Sequence, residues 1–147
     1  MNYDHIHGTL YQGSAPTPGL DVALRGFTVL VLCAEEFQPP AFWYPRVQVI
    51  HAPNDDRFEL PTREELAGAI AAARQVSVAL KAGQKVLVTC RMGINRSGLV
   101  SALALHMTYG MSGREAIRLV KQKRKPRALT NPGFVEVLSR LPNRAMQ

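Results

Sequence analysis

Cysteine is scarce in this chain. Cys33 and Cys90 are its only two among 147 residues. Two thiols cannot build a disulfide framework, so the fold must rest on an apolar core, and the expected compartment is a reducing one. Long apolar runs are missing as well. No window approaches the roughly 18 continuous apolar residues that a membrane-spanning helix needs. Metal-ligand spacing is absent: the histidines His5, His7, His51 and His106 fall in no ligand pattern, and the two cysteines are far apart. No internal repeat or low-complexity tract occurs. The opening Met1-Asn2-Tyr3-Asp4-His5 has neither the basic start nor the apolar run of a signal peptide, so the expected location is the cytoplasm. Acidic residues are also few. Lys and Arg number 18 against 11 Asp and Glu, a formal charge of +7 that favours anionic partners without naming one.

What remains is ordinary globular material. Apolar residues make up 46% and charged residues 20%, which excludes a disordered or fibrous chain. The length suits a single domain over residues 1–147. Leu10 to Gln12 reads as a short edge strand, and Pro16, Pro18 and Gly19 mark a loop after it. Phe27 to Cys33 is apolar on both faces, as in a central strand of a parallel sheet. Phe37 to Pro40 reads as a connection. Val47 to Ile50 is the next strand, closed by the loop Pro53-Asn54-Asp55-Asp56.

Thr62 and Glu65 form a capping box before a helix with Leu66, Ile70, Ala73, Ser77 and Leu80 on one face. Gly83 stops it. Lys85 to Thr89 is a short buried strand. A helix follows from Ser97 to about His106, ended by Gly110. Ser112 and Glu115 make a second capping box, for a helix through about Lys123 that Pro126 stops. Asn131-Pro132 opens a last helix through Leu141. The sum is an α/β fold, with a small, mostly parallel central sheet flanked by helices.

Chemistry concentrates in Thr89-Cys90-Arg91-Met92-Gly93-Ile94-Asn95-Arg96-Ser97-Gly98. A buried strand delivers Cys90 at its C-terminal end, and Arg96 stands where a helix begins. The intervening loop has room to curl around one tetrahedral anion with its amides inward. Gly93 permits a backbone angle that a side chain would obstruct. Arg96 offers a planar fork of donors to phosphate oxygens. The amides and dipole that bind an anion also stabilise a thiolate, which makes Cys90 a nucleophile beneath a bound phosphate. Ser97 could donate a hydrogen bond to that sulfur and ease its departure.

A phosphate monoester also needs a proton on its leaving oxygen. Asp55 and Asp56 sit on a loop at the same sheet edge as Cys90, and either can serve; Asn54 can shape the loop. Arg57 reads chiefly as part of a solvated face, although it could guide an anionic substrate or pair with Glu59. His51 reads as a structural histidine. Cys33 also ends a strand and reads chiefly as packing, although a disulfide to Cys90 under oxidation is open if the two strands are neighbours. Residues 112–127 carry a net charge of +6, densest at Lys123 to Arg127. That stretch reads as a solvated face that could approach an anionic substrate, lipid head groups or RNA. No aromatic residues interleave with it, which weakens single-stranded nucleic acid as the ligand.

The Cys90–Gly98 segment resembles the signature of the cysteine-dependent protein tyrosine phosphatase superfamily, in its small dual-specificity branch. The likeness covers most of the chain. Leu10-Tyr11-Gln12-Gly13-Ser14 looks like that family's first strand, Asn54-Asp55 like its general-acid loop, and Asn131-Pro132-Gly133-Phe134 like the start of its final helix. The resemblance implies a protein tyrosine phosphatase-like fold without a cofactor. It implies Cys90 as nucleophile, Arg91, Met92, Gly93, Ile94, Asn95 and Arg96 as the phosphate loop, Arg96 as transition-state clamp, and Asp55 as general acid ahead of Asp56. The implied substrate is a phosphorylated protein or peptide, chiefly phosphotyrosine, with phosphoserine or phosphothreonine also accepted. Thr89 departs from the pattern, because the family usually has histidine there. Thr89 hydrogen-bonds but carries no positive charge, so less thiolate stabilisation is expected than in relatives with histidine. Gly-Ile-Asn-Arg-Ser-Gly also looks somewhat like the RNA 5′-triphosphatase branch. An RNA 5′ end therefore stays open as substrate, and so does a non-catalytic phosphate-binding module.

Overall fold

The structure is a computed structural model that describes residues 1–143. Five strands form one sheet: β1 (Tyr3–His7), β2 (Leu10–Gly13), β3 (Val29–Ala34), β4 (Gln48–Asn54) and β5 (Val86–Thr89), in the order β1-β2-β5-β3-β4. Only β1 runs antiparallel, joined to β2 by a tight turn; β2, β5, β3 and β4 are parallel. Leu10–Gln12 is thus not an edge strand. It pairs with β5 on one side and with β1 on the other. β1 escapes a sequence reading because only Ile6 of its five residues is buried, and its polar alternation lacks a β-branched run. The strand expected over Val47–Ile50 starts one residue later, at Gln48, and runs on through Pro53 and Asn54, where an edge position tolerates proline.

The sheet has two unequal faces. On one, Val29, Val31, Cys33, Val86, Val88 and Cys90 join the main core with the helices α2 (Arg63–Lys81), α3 (Arg96–Tyr109), α4 (Gly113–Lys123) and α5 (Pro132–Ser139). On the other, Leu30, Leu32 and Leu87 meet Val22, Phe27 and Tyr44. The short helix α1 (Asp21–Leu24) and a 3-10 turn at Ala41–Trp43 lie in the segments that supply Val22 and Tyr44. Neither is long enough to show a helical period in the sequence.

Both capping boxes form. Thr62 Oγ1 accepts from the Glu65 amide at 3.1 Å, and the Glu65 carboxylate accepts from the Thr62 amide at 2.9 Å. Ser112 and Glu115 do the same at 3.1 and 3.3 Å. α3 is apolar nearly all round and buried from Arg96 to Leu105, the property of a helix inside a core rather than on its surface. No helix among the described residues is long and apolar enough to cross a membrane.

Candidate active site

The parallel strands all end on one side, and β5 delivers Cys90 there. Residues 91–95 turn without regular structure before α3 starts at Arg96. Cys90 is buried, and its Sγ lies 3.2 Å from Ser97 Oγ in the first turn of α3. Gly93 sits at φ +69°, the left-handed region. A Cβ there would collide with the Gly13 backbone and stand 2.7 Å from Arg124 Nη2. Glycine is therefore required twice, by conformation and by space.

Arg96 is buried and folds toward the end of β4. One terminal nitrogen donates to both carboxylate oxygens of Glu36, at 2.6 and 2.9 Å, and to the Asn54 carbonyl at 3.3 Å. Its Nε is buried with no hydrogen-bond partner among the described residues. Burial disfavours the guanidinium charge, but Glu36 and the nearby Cys90 outweigh burial and move its pKa upward. Arg96 thus keeps its charge and one buried N–H without a partner among the described residues, at the start of the helix that follows the Cys90 loop. Glu36 went unnoticed in the sequence. The Glu35-Glu36 pair, in a chain short of acid, was the available signal.

The two candidate acids differ sharply. Both oxygens of Asp56 accept side-chain amides: Oδ1 from Asn131 at 2.6 Å, and Oδ2 from Asn95 at 3.3 Å. Asn95 Oδ1 in turn accepts the amides of Thr130 and Asn131. Asp56 therefore ties the acid loop to the phosphate loop and to the start of α5. Asp55 has no such bonds. Its carboxylate is about a third exposed, and its nearest ionic partner is Arg57 at 3.7 Å. Its backbone amide donates to Glu65 Oε2 at 3.1 Å. Arg57 pairs with Glu65 and Asp55, not with Glu59. Glu65 therefore does more than cap α2: one carboxylate holds the cap, Arg57 and the backbone of Asp55. Burial pushes the Glu65 carboxyl up, but its bonds to the Thr62 and Asp55 amides and to Arg57 bring it below the usual range. Gly133 lets this loop approach α5, because a Cβ there would overlap the Glu59 carbonyl.

The remaining sequence candidates fall as follows. Thr89 is buried and donates to the Val31 carbonyl at 2.8 Å, tying β5 to β3 beneath the loop. Arg91 and Met92 are exposed, and Ile94 and Asn95 are half-buried. Asn54 is buried at the end of β4. His51 stands 2.8 Å from the Pro39 carbonyl, a structural contact. Cys33 lies one step past the Leu32–Thr89 pair, on the strand next to Cys90. Both thiols are free and buried. Burial, with Cys90 adding to it, pushes the Cys33 thiol well up, which keeps it protonated and a poor nucleophile. The Lys123–Arg127 stretch is not uniformly a solvated face: Arg124 is buried and faces inward. Among the described residues, no group of three His, Cys, Asp or Glu side chains could hold a metal ion.

A cysteine at a strand end, an arginine at the following helix start, and an acid loop across from both define a cysteine-based phosphatase site on an α/β sheet. Comparison with known proteins agrees. Residues 10–144 match the model of the dual specificity phosphatase catalytic domain, and the chain belongs to that family. It is 31% identical to human dual specificity phosphatase 28 over 126 residues, 86% of this chain and 69% of that protein. The crystal structure of that human enzyme superposes with a TM-score of 0.80 at 28% identity, covering all of this chain and 96% of the other. The active form of the phosphatase Tk-PTP superposes at 0.74 with 29% identity, over 93% of both chains. The chemistry of the family is hydrolysis of phosphomonoesters through a cysteine nucleophile.

Proposed function

We propose that this protein hydrolyses phosphotyrosine in proteins or peptides, and accepts phosphoserine and phosphothreonine more slowly. The observation that carries the reading is the trio of Cys90 Sγ, Ser97 Oγ at 3.2 Å, and the buried Nε of Arg96. The Cys90 thiolate attacks phosphorus in line, while Arg96 and the loop amides take the charge on the equatorial oxygens. Asp55 gives its proton to the departing oxygen. In the second step its carboxylate takes a proton from water, which attacks the phosphocysteine and releases inorganic phosphate. The Ser97 hydroxyl donates to the departing sulfur. Asp56 is the weaker choice of acid, because its oxygens already accept two amides. Met92 on the phosphate loop and Phe58 on the acid loop are exposed apolar side chains, suited to a tyrosyl ring.

One observation favours a second reading. Arg91, Lys123 and Arg127 are exposed, and a chain of phosphates at an RNA 5′ end would suit them. The test is inorganic phosphate release by wild type and Cys90→Ser. The panel holds phosphotyrosine, phosphoserine and phosphothreonine peptides, an aryl phosphate, a phosphoinositide and 5′-triphosphate RNA. Release from the phosphotyrosine peptide should lead and should fall by on the order of 10⁴-fold in Cys90→Ser. Preference for the RNA would replace this reading with the second. No Cys90-dependent release from folded, reduced protein would leave a phosphate-binding module.

A further inference from the structure

Arg124 caps the C-terminus of α4, far from Cys90 in sequence, yet its side chain is 1% exposed. A buried arginine needs partners for its charge and its fixed donors. Arg124 finds them on the phosphate loop and at the N-terminus. Nε donates to the Gly93 carbonyl at 3.0 Å, and Nη2 donates to the Met92 carbonyl at 3.1 Å. Nη1 donates to Asp4 Oδ2 at 2.8 Å and also to Asn2 Oδ1. The buried Gln12 side-chain amide donates to the same Gly93 carbonyl at 3.0 Å.

Peptide geometry converts these bonds into a statement about the loop. No peptide among the described residues is cis. In a trans peptide, the carbonyl of one residue and the N–H of the next point in opposite directions. Pulling the Met92 and Gly93 carbonyls toward Arg124 turns the N–H groups of Gly93 and Ile94 away from it. Both peptide planes are held by one rigid fork, which Asp4 holds in turn. We propose that Arg124 is a positioning residue that orients the Gly93 and Ile94 amides toward the substrate phosphate, with Asp4 and Gln12 supporting the arrangement. The assignment rests on the active-site reading above. Arg124 itself touches neither the substrate nor the sulfur.

The test is competitive inhibition by tungstate, a stable tetrahedral oxyanion, for wild type, Arg124→Gln, Arg124→Lys and Asp4→Asn. Far-UV circular dichroism and melting are recorded for each. The inhibition constant should rise about tenfold in Arg124→Gln, the loss of roughly one good charge-assisted hydrogen bond. Arg124→Lys should recover only part of it, because a point charge cannot hold two carbonyls at fixed angles. Asp4→Asn keeps the fork and removes its anchor, so a twofold to threefold rise is expected, and this variant carries the test if Arg124→Gln fails to fold. A lower melting temperature with an unchanged inhibition constant in a folded variant would overturn the proposal and leave Arg124 a packing residue. Wild type that neither turns over substrate nor binds tungstate would overturn the active-site reading instead, a result the variants alone cannot produce.

Discussion

The phosphate loop and the acid loop meet at the Asn95–Asp56 bond, yet they are held in different ways. The phosphate loop is gripped from behind by buried donors, Gln12 and Arg124, and by the Ser97 and Thr89 contacts at its strand root. The acid loop is held near its surface by Glu65, Arg57 and Asn131, and Asp55 itself is left with one long ionic contact. The difference follows the chemistry. Oxyanion donors act best when they need no reorganisation, so they belong on rigid, buried supports. A general acid must deliver a proton and later take one back, so its carboxyl oxygens cannot be tied up by fixed donors. Asp55 and Asp56 are adjacent in sequence and differ in engagement: the Asp56 carboxylate, though exposed, accepts two side-chain amides that fasten the loops, and the half-buried Asp55 carboxylate accepts no hydrogen bond among the described residues.

The sharpest way to break this comparison is to exchange the two aspartates' fates. Asp55→Asn should lower kcat on an aryl phosphate by about 10²–10⁴-fold. Asp56→Asn should cost less in kcat and more in melting temperature, since it weakens two fastening bonds. The reverse order in steady-state kinetics would transfer the acid role to Asp56. Next in size is Gly93→Ala. A Cβ at positive φ, pressed against Gly13 and Arg124, should weaken phosphate inhibition about tenfold while Cys90 alkylation persists. Unchanged inhibition would mean that the loop tolerates displacement and is not rigid.

A smaller effect is expected at the acid loop's anchor. Glu65 has a carboxyl pKa below its ordinary 4.5, so its contribution to stability is present above that value and is lost as pH falls through the lower folded value. Glu65→Gln should therefore melt below wild type at neutral pH, and the gap should close as the solution is acidified past pH 4.5. A gap independent of pH would remove the charge from the explanation. The smallest effect belongs to Thr89→His. A protonated histidine should speed iodoacetamide alkylation of Cys90 at mildly acidic pH severalfold, even though it displaces the Thr89–Val31 bond. A rate unchanged or lower would show that the threonine costs the nucleophile nothing.

Much of this was legible in the chain. Both capping boxes, the buried strands around Val31 and Val88, and the Cys90-to-Ser97 constellation are local patterns, and local patterns survive folding intact. β1 and α1 were not legible, because the first is mostly polar and the second is a single turn. Asn131 and Glu65 were read correctly as caps, but their second contacts, to Asp56 and to the Asp55 amide, lie across the fold. Arg124 was misplaced in a solvated basic stretch, since charge density along a chain does not say which side chain turns inward.

The sequence by itself determined the loop from Cys90 to Arg96, the strand and helix on either side of it and the family the chain belongs to, because those residues lie within one strand–loop–helix unit. Only the tertiary structure decided which of two neighbouring aspartates has its carboxylate tied by side-chain amides, that Glu36 braces Arg96, and that an arginine 34 positions beyond Cys90 holds the loop carbonyls. Those outcomes depend on where separate elements stop against one another. Such contacts are set by packing around a shared core, and no local pattern carries them.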